Sequence, residues 1–391
     1  MRTGSMAKRL IALALSAALA SGALAQETVK IGLILPMTGP FASTGRQIEA
    51  AAKLYMQQNG ALVAGKKIEL IVRDDTGAAD VTKRLARELV VNAKVSFLAG
   101  FGLTPLALAT APIATQAKVP QVVMAAATSI ITENSPYIVR TSFTLPQVTI
   151  TIADWAAKNG IRTVVTLVTD YGPGLDAEKA FKERFARGGG QVVEELRVPL
   201  RNPDFAPFLQ KVADSRPDAV FVFVPSGVGS VFMKQFAERG LDKSGIRLIA
   251  TGDVTDDDIL DNMGDVALGV VNAHHYSAAH PSAENKAFVE AFRKASNGMR
   301  PNFMGVGGYD GMHLIYEALK KTGGNVDGDA LIAAMKGMSW TSPRGPVSID
   351  PVTRDIVQNV YIRKVERVGD ELYNVEFDTF EAVKDPVKAA K

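Results

Sequence analysis

The chain has 391 residues, 47% of them apolar, no cysteine, and 44 Lys and Arg against 41 Asp and Glu. The lack of cysteine excludes disulfides, thiol nucleophiles, thiolate metal sites and a lipid anchor on an N-terminal cysteine. The small surplus of positive charge gathers at the N-terminus, so composition offers no support for nucleic-acid or anionic-membrane binding.

Arg2, Lys8 and Arg9 precede an apolar run from Leu10 to Ala20, followed by Ser21, Gly22, Ala23, Leu24 and Ala25 before Glu27, the first acid. This order matches a cleavable export signal over residues 1–25, with the mature chain starting near Gln26. A retained anchor would need about 20 apolar residues to cross the hydrocarbon core, more than this run supplies. The five residues ahead of Met6 add nothing to the signal. Loss of its three basic residues leaves 41 Lys and Arg, equal to the acids, so the expected mature protein is neutral. No other apolar run reaches 18 residues, and a soluble protein is expected. About 366 residues remain, more than one hydrophobic core normally serves, which predicts two domains.

The mature chain opens on Val29 to Leu35, a mostly apolar run with β-branched residues, then a Pro/Gly loop from Pro36 to Pro40 and a helical pattern from Gly45 to Asn59. Similar units recur, with strands predicted at Lys67 to Val72, Ser96 to Ala99, Gln121 to Met124, Thr163 to Val168, Gln191 to Val198, Ala219 to Val224, Arg247 to Ala250 and Gly269 to Asn272. Most are separated by 18 to 23 residues, room for a helix and two loops. Apolar strands alternating with helices predict parallel sheets covered on both faces, an α/β class. Helical patterns then follow one another at Ser282 to Ser296, Tyr309 to Lys321 and Asp327 to Met338, before a terminal hairpin over Ile356 to Val365 and Glu371 to Phe377. A lobe left near residue 145 and re-entered near 275 accounts for that accumulation of helices. The expected division is 27–145 with 276–345 for one lobe and 146–275 with 346–391 for the other.

Enzyme signatures are scarce. Gly100-Phe-Gly102-Leu-Thr-Pro105 follows a strand, but Pro105 replaces the third glycine of a dinucleotide loop. Neither a phosphate-binding lysine loop nor a nucleophile elbow is present. His274 and His275 are adjacent, which in a strand sends them to opposite faces, so no shared metal is expected. Asp256, Asp257 and Asp258 read most simply as the acidic start of a helix. Thr104, Thr128 and Ser129 each follow a strand near a helix start, where they either cap the helix or, with backbone N–H groups, hold a carboxylate. Tyr171, Tyr276 and Tyr309 either line a cleft or pack at domain edges.

Taken in order and spacing, several segments resemble the type I periplasmic binding proteins of ABC importers, the leucine/isoleucine/valine-binding group. They are Val29-Lys-Ile-Gly32 running into Pro36-Met-Thr-Gly-Pro40, Ile68 to Asp75 with its paired acids, Gly100 to Pro105, Val123 to Ser129, Tyr137 to Ser142 and Asp170-Tyr171-Gly172. The resemblance covers nearly the whole mature chain and implies two Rossmann-like lobes, three crossovers between them, and ligand in the cleft. It further implies that Thr104, beside Leu103, puts a hydroxyl on a ligand carboxylate. Ala126, Thr128 and Ser129 form the loop that adds backbone and hydroxyl contacts, and Tyr171 is an aromatic from the second lobe. Amino-acid binders of the group meet the ligand ammonium with an acid; an ungapped match puts Gly252 there, and a one-residue shift brings in Asp253. The small Pro225-Ser226-Gly227 loop and Phe41 leave room for a flat ring, and Tyr276 is a further cleft candidate.

The resulting expectation is a periplasmic, monomeric receptor without cofactor or metal. It closes on a small hydrophobic or aromatic carboxylate, a branched-chain amino acid or an aromatic or keto acid, and delivers it to ABC permease subunits. A ligand sensor feeding a chemoreceptor or kinase is the alternative in the same class, and a secreted hydrolase the alternative outside it. The hydrolase needs a nucleophile beside one of His274, His275, His280 or His313, and no serine motif accompanies them.

Overall fold

The computed structural model describes residues 27–389, so the export signal read at 1–25 lies outside the described residues. The first sheet contains β1 (Thr28–Leu35), β2 (Leu62–Val63), β3 (Lys66–Asp74), β4 (Phe97–Gly100), β5 (Gln121–Val123) and β6 (Ile138–Arg140) in the order β2-β3-β1-β4-β5-β6. All pairs except β2–β3 are parallel. The second sheet contains β7 (Thr163–Thr169), β8 (Gln191–Val198), β9 (Ala219–Phe223), β10 (Arg247–Thr251) and β11 (Val271–His274), all parallel. It is extended by β12 (Ser339–Ser342), β13 (Gly345–Ile349), β14 (Ile356–Val368) and β15 (Glu371–Val383), antiparallel throughout.

Burial explains which segments could be read as strands. All five residues of β9 are buried, as expected for a central parallel strand covered on both faces. At the edge, β8 alternates exposed and covered residues along most of its length. Predicted and observed strands agree to within a residue or two. The terminal hairpin is longer than expected and turns at Gly369, whose φ of 62° suits a tight hairpin turn. The short strands β2, β6, β12 and β13 went unpredicted.

The chain passes between the sheets three times: after Arg140, after His274 and after Met335. The late helices Ala283–Ala295, Phe303–Lys321 and Gly328–Met335 return to the first sheet's side, where Phe303–Lys321 packs along the helix Ala42–Asn59. One buried network ties the crossovers together. The Arg344 guanidinium donates to the Thr141 carbonyl at 2.5 Å, the Ser142 carbonyl at 3.1 Å, Gln358 Oε1 at 2.8 Å and Asp310 Oδ2 at 2.6 Å. Asp310 also accepts from Trp340 Nε1 and the Ser342 hydroxyl. Both charges are fully buried, so removing one strands the other in a medium that cannot solvate it. Asp310→Ala is therefore expected to lower the unfolding free energy by about 3–5 kcal/mol in denaturant titrations; a loss below about 1 kcal/mol would remove this network from the list of structural ties.

Candidate ligand-binding cleft

Between the two sheets lies a cleft with about 370 Å³ of space unoccupied by protein atoms, part of it open to solvent. It sits beyond the carboxyl ends of the parallel strands, where open α/β sheets place their ligands. From the first lobe it is lined by Phe41, Leu103, Thr104 and the Ala125–Ala127 run, and from the second by Tyr171, Phe223, Ser226 and Asp253.

Local sequence sets each wall. The loop after β1 is pinned by Asp74, which accepts from the Met37 N–H at 2.9 Å and the Thr38 hydroxyl at 2.7 Å, and so fixes the approach to Phe41. After β4, Gly100 at φ 105° and Phe101 at φ 68° turn the chain sharply. A Cβ on Gly100 would lie 2.4 Å from the Ile34 carbonyl oxygen, which only glycine tolerates. The helix Thr104–Ala117 then begins with Pro105 in its first turn, so the proline that breaks the dinucleotide motif serves as a helix start. The Thr104 and Thr128 hydroxyls lie 2.8 Å apart, both buried. The Ala126 N–H donates to the Phe101 carbonyl, so this residue gives the cleft its methyl group while its amide is engaged.

Of the residues singled out in the sequence, Phe41, Leu103, Thr104, Ala126, Tyr171 and Asp253 line the cleft. Thr128 stands one hydrogen bond behind Thr104. Ser129 is turned away, its hydroxyl on Asp385 and its N–H on Asp176. Tyr276 is fully buried and meets Phe288 edge-on. Gly252 is excluded as a ligand-facing position, because any Cβ there would lie 1.9 Å from Arg363 Nη2, and the cleft-facing acid is Asp253. Asp256, Asp257 and Asp258 correct the expectation of a helix start: they are largely buried and accept from Asn302, Asn374 and Ser43 respectively. Burial, and repulsion from Asp258 and Asp257, hold Asp256 well above the carboxylate range.

Sequence reasoning missed Phe143, Phe223, Pro173 and Met304 in the lining. Phe223 ends a predicted strand, and the rule that ligands sit at carboxyl ends would have found it. Phe143 lies in the first crossover, and Met304 lies on the helix Phe303–Lys321, which reaches the cleft only because the chain returns to the first lobe.

None of the four histidines lines the cleft. His274 and His275 do not diverge as strand neighbours would, since β11 ends at His274; their rings lie 4.5 Å apart. No group of three or more potential metal ligands occurs among the described residues. The His275 N–H donates to His274 Nδ1 at 3.0 Å, which leaves the proton of a neutral His274 on Nε2, 3.5 Å from Asp253 Oδ2. Burial pushes His274 down to about 4, against the opposing pull of Asp253. Burial and the Asp253 carboxylate hold the Tyr171 phenol well above its ordinary value, so it stays a neutral hydroxyl.

The lobes touch across the cleft. Ser43 bonds Asp258, the Ser129 N–H donates to Asp176 at 2.8 Å, and Arg201 reaches the Gly77 carbonyl at 3.3 Å. Gly172 also lies close to the first lobe: a Cβ there would lie 2.7 Å from Thr128 Oγ1.

Two α/β lobes joined by three crossovers, with a cleft at the strand ends of both, define a type I periplasmic binding protein. The chain belongs to the periplasmic binding protein family, whose profile matches residues 28–370. It is 48% identical to Leu/Ile/Val-binding protein homolog 6 of Brucella melitensis over 381 residues, 96% of this chain and 97% of that one. Its fold is similar to a solute-binding protein of an ABC transporter from Rhodopseudomonas palustris BisB5 in complex with 3,4-dihydroxybenzoic acid, with 70% identity, a TM-score of 0.91, and 92% and 99% of the two chains covered. A second such protein, from R. palustris HaA2 in complex with p-hydroxybenzoic acid, shares 44% identity at a TM-score of 0.90 over 93% and 100% of the chains. No described helix is long and apolar enough to cross a membrane.

Two outcomes follow from this geometry. Gly172→Ala puts a methyl group into the interlobe contact and is expected to weaken ligand binding roughly tenfold in calorimetry while leaving the melting temperature of the ligand-free protein unchanged; full affinity would show that the lobes close without this approach. For His274, the unfolded imidazole titrates near 6.5 and the folded one at about 4, so between these values the unfolded chain binds the extra proton. The contribution is complete above pH 6.5 and is lost as pH falls, reaching about 3 kcal/mol near pH 4. His274→Gln should flatten that limb of the stability profile; an unaltered slope would assign it to other groups.

Proposed function

We propose that this protein is the solute receptor of an ABC importer, exported to the periplasm by residues 1–25, and that it binds a single-ring aromatic carboxylate without transforming it. The lobes would divide near residues 145 and 275, and near Met335 rather than 345, because Ser339–Ser342 already pairs in the second sheet; the three crossovers would be the hinge. The observation that carries the reading is the cleft itself: aromatic and aliphatic walls from Phe41, Phe143, Phe223, Leu103 and Met304, with the paired hydroxyls of Thr104 and Thr128 at one end.

In this reading Thr104, at the start of its helix, donates to the ligand carboxylate, and Thr128 orients that hydroxyl from behind. Ala126 and Leu103 shape the wall, Phe41 supports the ring, and Tyr171 and Asp253 arrive with the second lobe. Closure is favoured by whatever contacts the ligand makes with that lobe beyond those it makes with the first. The benzoates bound by the two Rhodopseudomonas proteins support the ligand class, and membership of the periplasmic binding protein family supports binding without chemistry.

Thermal-shift and calorimetric titration with benzoate, 4-hydroxybenzoate, phenylglyoxylate and leucine test it, since a ligand stabilises the folded state in proportion to RT ln(1 + [L]/Kd). Aromatic acids are expected to stabilise the protein and leucine not to, with Thr104→Val weakening aromatic-acid binding by about 1–3 kcal/mol. Stabilisation by leucine alone would overturn the ligand class.

A further inference from the structure

Resting on the reading above, we infer that Asp253 selects aromatic acids that carry a ring hydroxyl, and that it does so as the acceptor for that hydroxyl. Asp253 is 3% exposed, and its Oδ2 has no hydrogen-bond partner within the protein. Its nearest polar neighbour is His274 Nε2 at 3.5 Å, too long for a good hydrogen bond. The imidazole is neutral by its surroundings, for His274 is fully buried and its Nδ1 already accepts from the His275 backbone. The carboxylate is therefore one acceptor short of satisfied in a cleft walled by Phe41, Phe223 and Pro225, where an unmet buried acceptor is costly. The ligand must bring a donor.

Donor counting decides which donor. An ammonium has three N–H groups and no acceptor capacity. To satisfy it, the second lobe offers one anion, Asp253, and two neutral hydroxyls, Tyr171 and, on the neighbouring strand end, Ser226, whose oxygen is also buried without a partner. The His274 Nε2–H would then face a cation, a repulsive arrangement. A phenolic hydroxyl donates once and accepts once. It can donate to Asp253 while accepting from a Ser226 or Tyr171 hydroxyl, and it leaves the imidazole proton directed at the carboxylate. Placement fits as well: Asp253 belongs to the second lobe and Thr104 to the first, so the two polar ends of the ligand are separated by the apolar walls, as the carboxylate and hydroxyl of a substituted benzoate are separated by the ring.

The test is calorimetry of benzoate, 3-hydroxybenzoate, 4-hydroxybenzoate, 3,4-dihydroxybenzoate and leucine against the full chain and its Asp253→Ala and Asp253→Asn variants. The wild type is expected to bind at least one hydroxylated acid about tenfold or more tightly than benzoate. Asp253→Ala is expected to bring that ratio near one, with Asp253→Asn in between because its amide oxygen still accepts. Equal wild-type affinities for benzoate and all the hydroxylated acids would overturn the role of Asp253 and leave the aromatic-carboxylate reading intact, and this comparison needs no variant to fold. A parallel loss of benzoate and hydroxybenzoate in a folded Asp253→Ala would likewise make the residue structural. Leucine binding that disappears in Asp253→Ala, with no aromatic acid bound, would overturn both readings together.

Discussion

Arg140 is the constraint on which the cleft depends. Its guanidinium is wholly buried and donates to the carbonyls of Ala126, Thr128, Ser129 and Phe143 at 2.8–3.3 Å, the turns of chain that carry the hydroxyl end of the site. Carbonyls committed inward to a cation oblige the loop to present its other groups to the cleft. The charge is in turn balanced by Asp355 at 2.9 Å, and Asp355 also takes Lys388 at 2.6 Å from the segment that follows the last strand. Loop, crossover and C-terminal segment are thus held by one set of buried charges. Because the cost of burying them is met only by mutual pairing, no member can leave without leaving another unsolvated. The second such set, around Arg344 and Asp310, does the same for the crossovers. Rigidity is concentrated at the hinge end of the molecule, where a two-lobed receptor needs a fixed pivot.

Across the cleft the contacts are of another kind. Ser43 with Asp258, Ser129 with Asp176, and Arg201 with a carbonyl are single hydrogen bonds between surfaces that solvent can reach when apart. Each exchanges a water bond for a protein bond and contributes little net free energy. Closure that rests on such contacts is poised, and the balance passes to the ligand. Gly172 lets the second lobe approach Thr128 closely, and in the proposed reading this brings Thr104 and Thr128 on one side and Asp253 on the other to the same small molecule.

Most of the parallel strands, the return of the late helices to the first lobe and the terminal hairpin were legible because apolar runs alternate with helical patterns at regular spacing and then give way to successive helices. The cleft was legible in part. Thr104, Tyr171 and Asp253 follow predicted strands, so the strand-end rule and the family resemblance both reached them. Phe143 and Met304 were hidden because one lies in a crossover with no strand end to mark it and the other reaches the cleft only when the chain returns to the first lobe. Ser129 and Tyr276 were overread: a hydroxyl after a strand and an aromatic after a histidine pair look like cleft residues, but Asp385 captures one and the core the other. The acidic run was misread for the opposite reason. Its partners, Asn302, Asn374 and Ser43, come from three distant segments, and sequence alone shows only three carboxylates beside a helical stretch.

Under the proposed reading, the charges of this site suit both the empty and the filled receptor. An arginine aimed at the ligand carboxylate would bind it more strongly, but in the empty cleft it would be a partly desolvated cation with no counter-ion. Here the arginine is one layer back, permanently paired, and the groups facing the ligand are neutral hydroxyls that water can satisfy when the lobes part. Asp253 follows the same logic with opposite sign. Its partner is an uncharged imidazole rather than a cation, so its acceptor capacity is not exhausted within the protein and remains for the ligand. A full ion pair at that position would satisfy the carboxylate in every state and remove its power to discriminate. Weak internal partnership is what makes a buried acid sensitive to the one donor a ligand does or does not bring.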